Sequence, residues 1–214
     1  MKFVGVGILL PTPTVVYFWN QTMNLYKFHT KPESLPHYQD YKKYHPNILT
    51  GIPKKPSVKQ LTLMKRNLLL AYRYAFYDLR GRWPEAEPYI MKDPFYAFGY
   101  ARNVIKGRWP EAEPYIMKDP EFALNYSVMV IKGRWPEAEP YIMKDPEQAF
   151  EYAVHILQNR WPEAEPYIMK NPHYAFLYAR DILRKRWPEA EPIIKTDELS
   201  WMMYETYLKP DKTL

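Results

Sequence analysis

The stretch "RWPEAEPYIMKDP", Arg82–Pro94, decides how this chain folds. Its first seven letters recur unchanged at Arg108, Arg134, Arg160 and Arg186, always 26 residues apart. A fixed period of about 20–50 residues is typical of repeat proteins, in which one supersecondary unit cannot bury its apolar face alone and stacks on its neighbours. The spacing predicts four full units, which we number 1 to 4, and a partial unit 5 that starts at Arg186; the full units are residues 82–107, 108–133, 134–159 and 160–185.

The second half of each unit carries the start and stop signals of a helix of about 13 residues. Asp93 is a residue type that caps helix N-termini, and Pro94 follows at the first helical position, where a missing N–H costs nothing. Asp119, Asp145 and Asn171 repeat the cap. At the far end we expect Gly107 to adopt the left-handed conformation that closes a helix, as Gly133 and Asn159 also can. Lys185 fits that position badly.

The first half of each unit is predicted to be shorter and stiffer. Pro84 can open a turn, but Pro88 removes a hydrogen bond four residues later, so we expect one tight turn, a kink at Pro88 and a second turn over 89–92. Glu85 and Glu87 are predicted to point outward. We attribute the identity of these glutamates in every copy mainly to recent duplication; a charged ladder between layers is the alternative. One apolar face at helical spacing is predicted to be buried by Trp83, Ala86, Tyr89 and Ile90.

The register extends beyond the obvious copies. Ala97 and Tyr100 map back by 26 residues onto Ala71 and Tyr74. We therefore expect one opening helix over 57–80, with Ser57 and Gln60 in capping-box positions, and a closing helix over 197–208. The fold predicted is mostly α: an α-solenoid of 26-residue helical hairpins over 57–214, fronted by a small α+β head over 1–56.

The predicted head differs in charge from the repeats. Residues 1–80 hold 12 Lys or Arg against three acidic residues, a net +9; the whole chain is +6, so residues 81–214 carry −3. Residues 3–19 form an apolar run, "FVGVGILLPTPTVVYFW", that Pro11 and Pro13 interrupt. Two β-rich runs, 2–9 and 14–19, joined by "PTPT" favour a hairpin over a signal or membrane segment.

Positions that differ between the copies define a candidate partner-binding stripe. Because these positions lie on one face of the capped helix, we expect them to face water. Four of the seven side chains are apolar, more than a solvated face needs, although singly scattered apolar residues on a surface are also normal. The stripe consists of Arg102, Val128, Met129, Val154, His155, Leu177 and Arg180.

The sequence offers little sign of catalysis. It has no cysteine, no Gly-rich phosphate loop and no nucleophile elbow, and we expect no cofactor. His29, His37 and His45, with Asp40 between them, would need to converge to bind a metal, and we interpret them as surface residues. The lack of cysteine fits a reducing compartment and predicts a cytoplasmic protein.

The same stretch interleaves aromatic and cationic residues. Tyr38, Tyr41 and Tyr44 flank Lys42 and Lys43. Tyrosines can stack on bases while lysines hold phosphates, so nucleic-acid binding through the head is a second hypothesis. An enzyme with its active site in residues 1–56 is a third.

The blocks "PEAEPYI", "DP", "YA" and "IKGRW", over about 71–187, resemble a short tandem repeat of uncharacterised proteins in large bacteriophages, other viruses and some bacteria. The resemblance implies a helical-repeat scaffold and a viral source, with a host protein bound and inhibited in the host cytoplasm. The leading hypothesis is thus a non-catalytic binding protein with a protein partner.

Overall fold

The computed structural model describes residues 57–208. The predicted head, with its hairpin, histidines and Tyr–Lys cluster, lies outside these residues. The described chain is mostly helical, as predicted, and its helices recur in a regular pattern. None of its helices has the length and apolar character that crossing a bilayer requires.

Each full unit has the same three parts. A four-residue α-helix is followed by a seven-residue α-helix, which continues into a five-residue π-helical segment. The short helices are α3 (Glu87–Ile90), α5 (Glu113–Ile116), α7 (Glu139–Ile142), α9 (Glu165–Ile168) and, in unit 5, α11 (Glu191–Ile194). The longer helices are α4 (Pro94–Tyr100), α6 (Pro120–Tyr126), α8 (Pro146–Tyr152), α10 (Pro172–Tyr178) and the closing α12 (Glu198–Tyr207). The π-helical segments are Ala101–Ile105, Ser127–Ile131, Ala153–Leu157 and Ala179–Leu183.

The predicted N-caps are confirmed. Asp119 Oδ1 accepts hydrogen bonds from the backbone N–H groups of Glu121 and Phe122, at 3.1 and 3.2 Å. Pro120 occupies the start of α6, where its lack of an N–H leaves no bond unmade. Pro88 plays a similar part in α3: it is the second residue of the short helix, within the first turn, so its lack of an N–H does not kink a helix there.

The prediction that Gly107 closes the helix was wrong by one residue. The left-handed residue is Lys106, with φ 60°, and its equivalents are Lys132, Gln158 and Arg184. The reason is the π-helical segment: the N–H groups of both Lys106 and Gly107 donate to the carbonyl oxygen of Ala101, so the wide last turn is already closed before the glycine. Lys185 follows the left-handed residue Arg184, so a lysine at this position does not disturb the helix end.

The opening segment is two helices, not one. Residues Val58–Met64 form α1, and Leu68–Arg73 form α2, which continues into a π-helical segment at Tyr74–Leu79. Asn67 interrupts them because its side chain caps α2, accepting from Leu70 N–H at 3.1 Å. Asn67 lies 26 residues before Asp93, so residues 57–81 are a divergent copy of the whole unit.

Neighbouring units stack directly on each other. Each longer helix from α2 to α12 packs against the longer helix of the next unit. Trp109, Ala112 and Ile116 from the first half of unit 2 are buried with Ala123, Leu124 and Tyr126 from its second half. The predicted buried face is thus confirmed for Trp83, Ala86 and Ile90, while Tyr89 is half-buried.

The last unit covers its own end. In units 1 to 4 the Tyr100-type ring lies against the Trp of the following unit, as Tyr178 does against Trp187 at 5.3 Å. In unit 5 Trp201 takes an alanine position and stacks on Tyr204 at 5.5 Å. The side chain of Lys195 lies 4.5 Å from the Trp201 ring.

The position of the left-handed residue predicts whether a mutation at the helix end stabilises or destabilises the fold. A Cβ added at Gly133 meets nothing within 4 Å, and Gly133 itself is not left-handed. Gly133→Ala should therefore raise the free energy of unfolding by about 0.4–1 kcal/mol, since it lowers the entropy of the unfolded chain. Urea denaturation measures the change. Lys132→Val should destabilise, because a β-branched residue is strained at φ 59°. A lower stability of Gly133→Ala would contradict this account of the helix end.

Candidate functional site

Every repeat unit contains the same clamp, built from four residues. In unit 2 the backbone N–H of Trp109 donates to Tyr126 Oη at 2.6 Å, and that hydroxyl donates to Glu113 Oε1 at 3.0 Å. Arg108 then binds both oxygens of Glu113 through Nε and Nη2, each at 2.8 Å. The clamp ties the short first half of the unit to its longer helix.

The clamp recurs in all five units, except that Arg186 of unit 5 contacts only Oε1 of Glu191. The Trp N–H to Tyr Oη distance is 2.6, 2.6, 2.8 and 2.6 Å in units 1 to 4, and unit 5 has the same bond. The tyrosines are Tyr100, Tyr126, Tyr152, Tyr178 and Tyr204. The prediction that Glu87 points outward was wrong: it is 7% exposed because its carboxylate accepts from both Arg82 and Tyr100. Glu85 is exposed, as expected.

Burial sets the protonation of the clamp tyrosines. Desolvation is the largest cause that raises the pKa of Tyr126, and the neighbouring Glu113 raises it further, although the Trp109 N–H and Arg108 act in the opposite direction. The guanidinium pKa of Arg108 is raised as well, chiefly by its hydrogen bonds to Glu113. At neutral pH the phenol therefore keeps the proton that it donates.

The invariant surface residues also have structural partners. The guanidinium pKa of Arg82 is raised chiefly by its hydrogen bonds to Glu87, and Glu111 of unit 2 adds a smaller electrostatic contribution, as Glu137 does for Arg108. Recent duplication and a charged ladder between layers both stay predictions for the identity of the glutamates. The repeated lysines stack on tyrosines: Lys170 lies 4.7 Å from the Tyr167 ring. Much of the identity between copies therefore has a physical cause.

The candidate stripe lies deeper than expected. Leu177 is only 5% exposed, so it does not face water. The cause is that its helix position packs against the neighbouring unit. The other members are half-buried, and none has a fully exposed side chain: Arg102, Val128, Met129, Val154, His155 and Arg180. The structure brings them together along one side of the stack, and their role in binding stays a prediction.

A more exposed variable position lies outside the candidate stripe. It is the second residue of each longer helix, and it carries Phe95, Glu121, Glu147, His173 and Leu199. All five side chains are exposed. The variability of this position is visible in the sequence, since the residue differs in every unit except for the pair of glutamates. We call these five residues the variable face.

Carboxylates concentrate on the variable face of units 2 and 3. The pKa of Glu121 is raised, first by partial burial and then by the charges of Asp119, Glu147 and Asp145. Four carboxylates thus lie within electrostatic reach of one another. Within residues 57–208 no group of three or more His, Asp or Glu side chains is arranged to hold a metal ion.

Comparison of the chain with protein-family models, with curated proteins and with solved structures finds no match. The geometry of the described residues is therefore the basis for the functional proposal below.

The clamp predicts which tyrosine hydroxyls matter for stability. Tyr126→Phe should lower the free energy of unfolding by about 1–3 kcal/mol, because it leaves the buried Trp109 N–H without an acceptor. Tyr115→Phe is the matched control: its ring is half-exposed, and the change should stay within about 0.5 kcal/mol. Chemical denaturation of both variants measures the difference. Equal effects would show that the clamp bond contributes nothing.

The raised tyrosine pKa values predict alkaline instability. A phenol whose pKa is higher in the folded than in the unfolded state stabilises the fold fully below the unfolded value. That value is about 10, so stability should fall as pH rises above 10 toward the folded pKa. Absorbance titration of tyrosinate, with circular dichroism at the same pH, tests this. Ionisation of all tyrosines near pH 10 without loss of helix would contradict it.

Proposed function

We propose that this chain is a non-catalytic helical-repeat binding protein that engages another protein through its variable face. One observation carries the proposal. The internal contacts repeat from layer to layer, whereas the exposed position changes from phenylalanine to glutamate, histidine and leucine. A uniform stack that presents a non-repeating surface suits the recognition of one particular partner.

The variable face mixes the chemistry that protein interfaces use. Phe95 is 36% exposed, and its ring lies 5.8 Å from Phe122 of the next unit. Arg180, half-buried beside the face, lies over the rings of Phe176 and Tyr207 at 5.2 and 5.8 Å. Aromatic and arginine side chains are enriched at interfaces, and stacking holds this arginine in place.

The resemblance to repeats of phage and viral proteins extends the proposal. On that analogy the partner is a host protein, and binding inhibits it.

A four-residue variant tests the proposal in the full-length protein. The immobilised wild type should capture its partner from a bacterial lysate, and the purified partner should bind it with a measurable Kd. Binding should be lost when four residues of the variable face are changed to alanine: Phe95, Glu121, Glu147 and His173. The matched control changes four exposed residues from the same units, on the invariant half: Glu85, Glu111, Glu137 and Glu163. Equal loss in both variants, or in neither, would contradict the proposal.

The basic head supports a second candidate function, nucleic-acid binding. Residues 1–56 hold seven lysines against two acidic residues, a net +5, and this charge favours it together with the interleaved Tyr38, Tyr41, Lys42, Lys43 and Tyr44. Lys42→Glu with Lys43→Glu should abolish binding of a single-stranded oligonucleotide, measured by fluorescence anisotropy. Wild-type binding should weaken steeply with salt, since phosphate contacts release counterions. Binding that is indifferent to salt would count against this function.

A further inference from the structure

One buried position breaks the apolar pattern of the stack. It is the sixth residue of each longer helix: Asn125 in unit 2, Glu151 in unit 3 and Leu177 in unit 4. The three side chains are about equally buried, at 4%, 2% and 5% exposed. Leucine suits such a place, whereas an amide and a carboxylate must each find hydrogen-bond donors there.

Some of these buried oxygen atoms have no hydrogen-bond donor. Asn125 Oδ1, Gln148 Oε1 and Glu151 Oε1 accept no hydrogen bond, and they are three of the four such buried side-chain atoms within residues 57–208. Gln148 and Glu151 lie three residues apart on α8, so they share a helix face. Asn125 lies on α6, which packs against α8. Three acceptors of hydrogen bonds are thus concentrated on two adjacent helices.

We call Asn125, Gln148 and Glu151 the polar cluster, and its Glu151 carboxylate is connected to the surface through His155. Its Nε2 lies 2.9 Å from Glu151 Oε2, and the His155 side chain is 28% exposed, whereas that of Glu151 is 3% exposed. His155 engages one oxygen of Glu151 and leaves the other, Oε1, unbonded. The outer edge of the cluster is therefore a partly exposed ring over a buried carboxylate.

Further negative charge surrounds the cluster. Burial raises the pKa of Tyr174 in unit 4, and the carboxylates of Glu147, Glu151 and Asp145, which lie within electrostatic reach of it, raise the pKa further. The acidic pattern is confined to units 2 and 3. Unit 4 has Asn171, His173 and Leu177 where unit 3 has Asp145, Glu147 and Glu151.

We propose that units 2 and 3 form a binding site for a guanidinium group, supplied by an arginine side chain of the partner protein. This inference rests on the proposed protein-binding function and names the chemistry of its partner. A guanidinium offers five N–H donors and accepts nothing, which matches a cluster of acceptors. It keeps its charge and is weakly hydrated, so it tolerates partial burial beside Glu151. The exposed Glu121 and Glu147 attract the cation to the site.

The test uses full-length protein and a capped Gly-Arg-Gly peptide. A peptide with citrulline in place of arginine is the control, since citrulline has nearly the same shape without the charge. In nuclear magnetic resonance spectra the arginine peptide should shift the side-chain amide signals of Asn125 and Gln148 and reach saturation. Added salt should weaken this binding. The citrulline peptide should shift neither signal.

Glu151→Leu places in unit 3 the residue that unit 4 already has. It should weaken binding of the arginine peptide at least tenfold while the circular dichroism spectrum stays unchanged. Glu151→Gln, which keeps the size and removes the charge, provides the same test if the leucine variant does not fold. Glu137→Ala, an exposed carboxylate on the invariant half of unit 3, should bind as the wild type does.

Equal binding of arginine and citrulline peptides, absence of any binding, or wild-type affinity in the folded Glu151 variants would overturn the guanidinium site. The proposed function is judged separately. If partner capture depends on the four variable-face residues but the arginine peptide does not bind, the protein-binding function stands and the guanidinium site fails. If neither is observed, both fail.

Discussion

One phenolic hydroxyl in each layer holds the described structure together. The first half of a unit forms a turn and a four-residue helix, and the backbone hydrogen bonds within it are donated by residues that follow the tryptophan. Its leading backbone N–H, that of Trp109 in unit 2, is buried and must find an acceptor. Tyr126 supplies it from the longer helix, while the same hydroxyl donates to Glu113. The Tyr126 ring also lies 5.0 Å from Trp135 of the next layer. Tyr126 therefore links the two halves of its own unit and also contacts the next unit.

This constraint explains which residues repeat and which are free to change. Replacing the clamp tyrosine would leave the buried tryptophan N–H without an acceptor, and replacing the glutamate would leave the buried tyrosine hydroxyl without its acceptor. The tryptophan contributes only its backbone N–H to the clamp, and its ring is buried against the tyrosine of the preceding unit. The second residue of each longer helix has no part in the clamp and varies in charge, size and aromatic character. The polar substitutions in units 2 and 3 extend this variation into a buried position, at Asn125 and Glu151, where a purely structural stack would place an apolar residue.

Most of the fold could be predicted from local features of the sequence. The period of 26 residues, the Asp–Pro helix starts and the apolar face of Trp83, Ala86 and Ile90 predicted the stacking units. The helix end depended on a π-helical turn that no local residue signal announces, so the left-handed position was assigned to Gly107 instead of Lys106. Glu87 was misplaced because an exposed position is the default for glutamate, and its partners are five residues earlier and 13 residues later. The repetition of Tyr100 in every unit was the sign of a shared partner. The exposure of the candidate stripe depended on contacts between layers, which spacing along one helix does not reveal.

Hydrogen exchange of the tryptophan backbone amides tests the clamp most directly. Trp109, Trp135 and Trp161 begin the first halves of units 2 to 4, and their backbone N–H groups donate to the clamp tyrosines. The account predicts that these three N–H groups exchange as slowly as the most protected amides of the longer helices, because exchange requires a layer to open. Exchange at the rate of an unstructured peptide would contradict it.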